Sequence, residues 1–331
     1  MRLLKSLVLS AVLLPAALIS FPAAAAPPDP RVMGAQVLLD RLGFGPGVID
    51  GAGGMSLTKA LRGWQEANGL SVTGELDDAT VKSFEPFRAM PTVIDIKLSP
   101  EILEGPFVGS IPAEPADQAK MKTLGYADAM EALAERYHTT QATLIALNSP
   151  QTKLASGVAI RVPNVIPPKQ DFPADLNPGW RKTLWTLSVG SDQPEVAKVV
   201  VDKSDGVLRA FDGAGKLVAQ FPATMGSKYD PLPIGEWKIQ GRSYNPPFHY
   251  NPKLFWDADD NDRKALIPPG PNGPVGVVWI DLDKKHYGIH GTPHPEKIGR
   301  TESHGCIRLT NWDAARLAVM VKPGTPAVFQ E

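Results

Sequence analysis

The chain has 331 residues, 43% of them hydrophobic, with a formal net charge of -1 and a single cysteine. That length and apolar content allow two or three domains with real cores. The near-neutral charge gives no electrostatic basis for binding nucleic acid, and one cysteine excludes an internal disulfide.

Residues 1–26 open with Arg2 and Lys5, run through an apolar stretch from Leu7 to Ile19 and end in the small-residue run Ala23 to Ala26. A basic start, an apolar centre and A-x-A cleavage sites mark a secretory signal peptide, and a membrane span would need about 20 apolar residues. The mature protein is expected to be soluble outside the cytoplasmic membrane. A free thiol kept in an oxidising compartment invites a chemical explanation.

Proline marks the joints between three folded blocks. Pro86, Pro91, Pro100, Pro106, Pro112 and Pro115 punctuate a linker over 86–118, and Pro167, Pro168, Pro173 and Pro178 punctuate a second over 166–195. In the first block, 29–85, Val32, Gln36, Leu38 and Leu39 share one helix face, and Thr58, Leu61, Trp64 and Gln65 share another. A third helix starts at Asp77 or Asp78, so a small three-helix bundle is expected. Gln36, Leu39, Gly43-Phe44, Gly47 to Gly51, Trp64-Gln65, Gly69-Leu70 and Gly74 resemble the helical peptidoglycan-binding domain.

The second block, 119–165, has helix-like segments at Ala129 to Tyr137 and Gln141 to Asn148, then a β-branched, alternating strand from Gly157 to Pro163. It is similar to a LysM module, a small α+β unit that binds glycan strands. At its start Tyr126-Ala127-Asp128-Ala129 replaces the family's glycine-aspartate-threonine turn.

The third block, 196–331, is mainly β. Strands are expected over 197–203, 206–211, 216–225, 235–243, 275–281 and 286–289, with one late helix over 311–321 capped by Asn311. Cys306 lies in Ser303-His304-Gly305-Cys306-Ile307-Arg308-Leu309, downstream of His290-Gly291-Thr292. A thiol attacks an acyl carbon as thiolate, so it needs a base or a cation beside it, and a loop with Pro293 and Pro295 allows His290 to return to the sulfur. Gly305 lets backbone approach a substrate, with its amide and that of Cys306 as donors to an oxyanion.

These two motifs resemble the signature of the YkuD-type L,D-transpeptidases, and Met225-Gly226 with Pro233-Ile234-Gly235-Glu236-Trp237 resembles their earlier turn, with Leu232 in place of the usual threonine. The resemblance implies a β-sandwich-like catalytic domain that cleaves tetrapeptide stems of peptidoglycan, releases D-alanine and passes the acyl group from Cys306 to an amine. It makes His290 the general base and later acid, the Gly291 carbonyl its orienting partner, and the His304, Gly305 and Cys306 amides the oxyanion hole. Ser303, Arg308, Thr292, Tyr250 and Trp256 become the substrate-facing set, the last two from a proline- and aromatic-rich insertion, 245–274, that forms either a lid or a stabilising loop.

Implied partners are peptidoglycan stems and glycan strands, carbapenem-type β-lactams as covalent inhibitors, and a wall-attached protein as one form of acceptor. No cofactor or metal is expected, and the implied compartment is the periplasm. Three alternatives stay open: L,D-carboxypeptidase action through the same acyl-enzyme, a zinc hydrolase using His290, His294, His304 and Cys306, and a non-catalytic wall-binding protein. Neither a C-x-x-C pair nor an H-E-x-x-H helix supports zinc.

Overall fold

The computed structural model describes residues 27–259 and 261–331, and the expected signal peptide, 1–26, lies outside the described residues. The first helix, α1 (Pro30–Arg41), starts where Asp29 accepts from the Arg31 and Val32 amides with Pro30 in the first turn, both of which suit a helix start. α2 (Met55–Ala67) and α3 (Asp78–Ser83), the latter capped by Asp77, complete a three-helix unit. Two buried glutamines account for its glycine turns. Gln36 Oε1 accepts from Asp50 N (3.1 Å) and Gly51 N (2.8 Å), and Gln65 Oε1 accepts from Gly74 N (2.8 Å). Each glutamine clamps the turn that follows its own helix, so the unit consists of two similar halves.

The second block starts earlier than its sequence pattern announces. β1 (Val93–Lys97) emerges from the proline-rich stretch expected as a linker. Beyond it come α4 (Pro115–Gln118), α5 (Ala129–Arg136) and α6 (Gln141–Leu147), and then β2 (Ala159–Pro163), which pairs antiparallel with β1 over its whole length. The stretch 166–195 likewise holds α7 (Pro178–Thr186), whose Trp180 and Leu184 are buried in the core of the third block.

That third block holds β3 (Lys198–Asp202), β4 (Val207–Phe211), β5 (Leu217–Pro222), β6 (Thr224–Met225) and β7 (Gly235–Tyr244). It continues through β8 (Phe248–Tyr250), β9 (Ala265–Ile267), β10 (Val278–Leu282), β11 (Gly288–His290), β12 (Ile307–Arg308), α8 (Asn311–Met320) and β13 (Pro326–Gln330). Nine of these strands form one sheet in the order β5-β4-β3-β13-β7-β10-β11-β12-β6, while β8 and β9 pair as a separate hairpin within the insertion.

α8 is buried nearly all round, the condition of a helix enclosed on every side. Its cap is Thr310, whose hydroxyl accepts from Asp313 N (3.1 Å), and not Asn311 as the sequence led us to expect. The displaced role matters, because it leaves the Asn311 amide free for other partners.

Hydrophobic clusters cross the block boundaries. Leu39, Phe44, Leu57 and Trp64 of the first block pack with Leu217 of β5, and Met33, Val37 and Ile49 pack with Leu133, Tyr137 and Leu144 of the second. Where the three blocks meet, Asp40 takes Arg316 Nη2 of α8 at 2.7 Å and His138 Nδ1 of the second block at 3.0 Å, and the His138 ring stacks on Trp312 at 4.8 Å.

Candidate active site

Strand pairing assembles the site. β11 and β12 run parallel with Ile289 opposite Ile307 and His290 opposite Arg308, and β10 pairs antiparallel with β11 so that Trp279 faces His290. Side chains alternate along a strand, so Ile289 and Ile307 enter the core while Trp279, His290 and Arg308 form a row on the other face. Cys306, two positions before Arg308, belongs to that same face. One step beyond the paired residues it falls opposite Gly288 on β11 and Gly226 after β6, which leaves the thiol flanked by positions without side chains.

His290 is buried, with Nδ1 2.7 Å from Gly291 O. A carbonyl only accepts, so Nδ1 carries the proton and Nε2 of the neutral ring keeps its lone pair, as a general base requires. Trp279 stacks on the imidazole with centroids 5.5 Å apart and planes at 17°. Burial, and after it the Arg308 guanidinium, depress His290 to about 3, against the opposing effect of the Gly291 carbonyl. Burial pushes the Cys306 thiol up from its ordinary value, with the Gly288 backbone and Arg308 pulling the other way. At neutral pH the resting pair is therefore a thiol and a neutral imidazole, with Arg308 as the fixed positive charge beside it. Such a site moves the proton as sulfur attacks, and the guanidinium favours negative charge on sulfur or on a nearby oxyanion.

The loop that presents the cysteine is built tightly. Gly305 has φ +88°, and a Cβ there would lie 2.6 Å from the Tyr287 ring, so only glycine fits. Ser303 is buried; its hydroxyl donates to Cys306 O (2.7 Å) and accepts from Gly226 N (2.6 Å). Those bonds give Ser303 a loop-shaping role. Thr292 is also buried, its hydroxyl accepting from His294 N at 3.3 Å. Leu232, at the earlier turn, is a core residue.

The insertion reaches the loop that carries Cys306. Asp257 Oδ1 accepts from His304 Nε2 (2.7 Å), Phe255 lies edge-on to the His304 ring at 4.8 Å, and Trp256 packs tilted against Tyr229 at 4.4 Å while staying 53% exposed. Tyr250 donates to Asp262 Oδ2 (2.6 Å) and lines, with His249, Lys264 and His286, a cavity of about 510 Å³. Its neighbour in space is Cys306, whose Sγ lies 3.8 Å from His286 O. Thus His290, Arg308, Cys306 and the Gly305 turn converge, the insertion covers the loop through His304, and Ser303 and Thr292 stand behind. His294 lies beside Glu296 (3.7 Å) and His304 beside Asp257 (2.7 Å), and among the described residues no group of three or more His, Cys, Asp or Glu could hold a metal ion.

The sequence assigned no site role to Trp279, Tyr287 or Glu135, and gave Asn311 only that of a helix cap. Trp279 was within reach of strand alternation, because it takes the same face as His290 once β10 and β11 are paired. The other three depend on approaches between distant segments.

Comparison with known proteins matches two regions of the chain. Residues 197–329 match the L,D-transpeptidase catalytic domain known as YkuD, and residues 28–83 match a putative peptidoglycan binding domain. The chain is 31% identical over 154 residues to the putative L,D-transpeptidase YqjB of Bacillus subtilis, covering 45% of this chain and 78% of that protein. It is 33% identical over 128 residues to the putative L,D-transpeptidase YkuD of Bacillus licheniformis, covering 39% of this chain and 62% of that one. Against the YkuD protein of Bacillus subtilis it spans 52% of the relative's length. Among solved structures, an L,D-transpeptidase from Mycobacterium smegmatis aligns over 41% of this chain and 59% of its own, with a TM-score of 0.34 and 23% identity. The sequence matches and the cysteine strand face lead to one conclusion: this chain belongs to the YkuD family of L,D-transpeptidases, with a peptidoglycan-binding domain ahead of the catalytic one.

Proposed function

We propose that the protein is a cysteine-dependent L,D-transpeptidase of peptidoglycan. Cys306 attacks the acyl carbon of the residue that precedes the terminal D-alanine of a tetrapeptide stem, and His290 Nε2 takes the thiol proton. The amides of His304, Gly305 and Cys306 hold the oxyanion, His290 returns the proton to the departing D-alanine amine, and an amine of a second stem or of a wall protein takes the acyl group from sulfur. The observation that carries this reading is the shared strand face: His290, Arg308 and Cys306 project from adjacent strands, and Gly291 O fixes the imidazole in the tautomer a base needs.

Arg308, opposite His290, is suited to a stem carboxylate or to charge on the acyl centre, and the insertion's Tyr250 and Trp256 to the body of the donor. The first block supports wall attachment, and we read the second, in which β1 and β2 pair and α5 and α6 lie between them, as a LysM-like glycan binder. The proposed compartment is the periplasm.

Incubation of disaccharide-tetrapeptide with the mature protein, followed by mass spectrometry, tests the reaction. Dimers lacking one D-alanine support it; tripeptide monomers alone assign water as the acceptor, and unchanged substrate removes the reading. A carbapenem should add its full mass to Cys306, and an unchanged intact mass after exposure would contradict an acylable thiol.

A further inference from the structure

Asn311 links the support of His290 to the second block. Its Oδ1 accepts from Val277 N (3.2 Å) and lies against Gly291, where a Cβ would stand 2.1 Å from it. Its Nδ2 donates to Pro271 O (3.1 Å) and to Glu135 Oε1 (2.7 Å). The amide has one orientation. A flip would aim its NH2 at the Val277 N–H and turn its oxygen towards the Glu135 carboxyl.

Glu135 stands on α5, outside the 197–329 catalytic match, and is held in turn by the Tyr126 hydroxyl, which donates to Oε2 at 2.6 Å. The neighbouring backbone is stapled across the same boundary. Leu124 N donates to Pro269 O (2.9 Å), Asn272 N donates to Leu124 O (3.0 Å), and the Asn272 side chain reaches Gly125 O (3.0 Å) and the Glu131 carboxylate (3.2 Å). The end of the insertion therefore rests on the second block, and Pro271 within it supplies the other acceptor for Asn311.

We propose that Glu135 is a positioning residue for His290: it fixes the Asn311 amide, which seats Gly291, whose carbonyl holds the His290 ring. The second block thereby completes the active site in addition to any role in wall binding. The catalytic readout of this inference rests on the proposed transpeptidase reaction, whereas its tautomer readout does not.

The test compares full-length wild type with Glu135→Leu, Glu135→Gln and Tyr126→Phe. Leucine removes the acceptor at similar size, and glutamine keeps an oxygen for Asn311. Three quantities are measured: kcat and KM with disaccharide-tetrapeptide, the rate of Cys306 alkylation by iodoacetamide, and the His290 tautomer from its ring nitrogen NMR shifts.

Glu135→Leu should lower kcat roughly tenfold or more with KM within about twofold, as expected when a catalytic group is misplaced by a fraction of an ångström. It should also convert His290 from a pure Nδ1–H tautomer to a mixture and alter the alkylation rate. Glu135→Gln should stay within about twofold of wild type and Tyr126→Phe fall between them. Wild-type kcat and tautomer in Glu135→Leu would overturn the proposal, as would an equal loss in Glu135→Gln. If Glu135→Leu does not fold, wild-type values in Tyr126→Phe overturn it instead. Absence of turnover in every protein would defeat the transpeptidase reading, and the tautomer would still decide the role of Glu135.

Discussion

The polar cluster at the junction of the three blocks and the one at the Cys306 face treat charge in opposite ways. At the junction of the three blocks, Asp40 is fully buried and saturated: Arg316 reaches both oxygens (2.7 and 3.1 Å) and His138 Nδ1 lies 3.0 and 3.1 Å away. Burial by itself would raise this carboxyl, but Arg316 and His138 more than offset it and hold Asp40 well below the usual carboxylate range. At the Cys306 face the groups are near one another yet not consumed by one another. Arg308 makes a side-chain bond only to Glu302 O (3.4 Å) among the described residues, the thiol faces a backbone carbonyl at 3.8 Å, and His290 spends one nitrogen on Gly291 and keeps the other. Saturated charge holds domains together, and the unspent valences at the second cluster are what chemistry can use.

The contrast can be broken at either end. Cys306→Ala should abolish turnover entirely while leaving chemical denaturation unchanged, since the thiol carries no packing role of consequence; residual dimer formation would break the assignment. Arg316→Ala should do the reverse in kind. It leaves the buried Asp40 carboxylate with His138 as its remaining side-chain partner and should cost about 3–5 kcal/mol, the usual result of removing one partner of a buried pair. Urea unfolding measures it, and a loss below about 1 kcal/mol would show that the junction relaxes or takes up water.

The protonation states give a sharper version of the same comparison. With the Cys306 thiol raised and His290 depressed to about 3, alkylation of Cys306 should rise in one step at alkaline pH, without the plateau near pH 5–7 that a thiolate–imidazolium pair would produce. A plateau would mean that the ion pair exists before substrate binds. The smallest effect concerns Asp313, which sits beside the saturated cluster with neither carboxyl oxygen hydrogen-bonded and Arg316 Nη1 3.7 Å from Oδ1.

Burial, with Asp40 adding to it and Arg316 opposing it, raises Asp313 to about 7. A carboxyl raised on folding contributes stability below its unfolded pKa, near 3.9, and that contribution disappears as pH climbs through about 7. Asp313→Asn should therefore gain a few degrees of Tm over wild type at pH 8 and little at pH 5, read by thermal scans at the two values. Parallel pH curves for the two proteins would contradict the raised carboxyl.

How much of this was legible in the sequence depended on distance along the chain. The Cys306 loop and His290 motif were readable because their chemistry is local, and the three-helix block because Gln36 and Gln65 each serve their own turn. β1 was hidden in a proline-rich stretch, although Val93-Ile94-Asp95-Ile96-Lys97 alternates well enough for a strand once a partner 66 positions later is known. α7 was hidden by Pro178, read as a break when proline in the first turn of a helix is favourable. Asn311 was assigned to capping, which is its commonest use, because nothing local reveals that Thr310 takes the cap. Glu135 and Asn311 are 176 residues apart, and only the packing of the second block on the third brings them together.

The central claim is that Cys306 carries the acyl group of a stem peptide. The most direct measurement is to quench the mature protein with disaccharide-tetrapeptide during turnover and map the intact and digested masses. The account predicts a tripeptide acyl adduct, with D-alanine lost, on the peptide that contains Cys306, and no adduct in Cys306→Ala. Consumption of the substrate with every Cys306 thiol still free, or an adduct on any other residue, would contradict it.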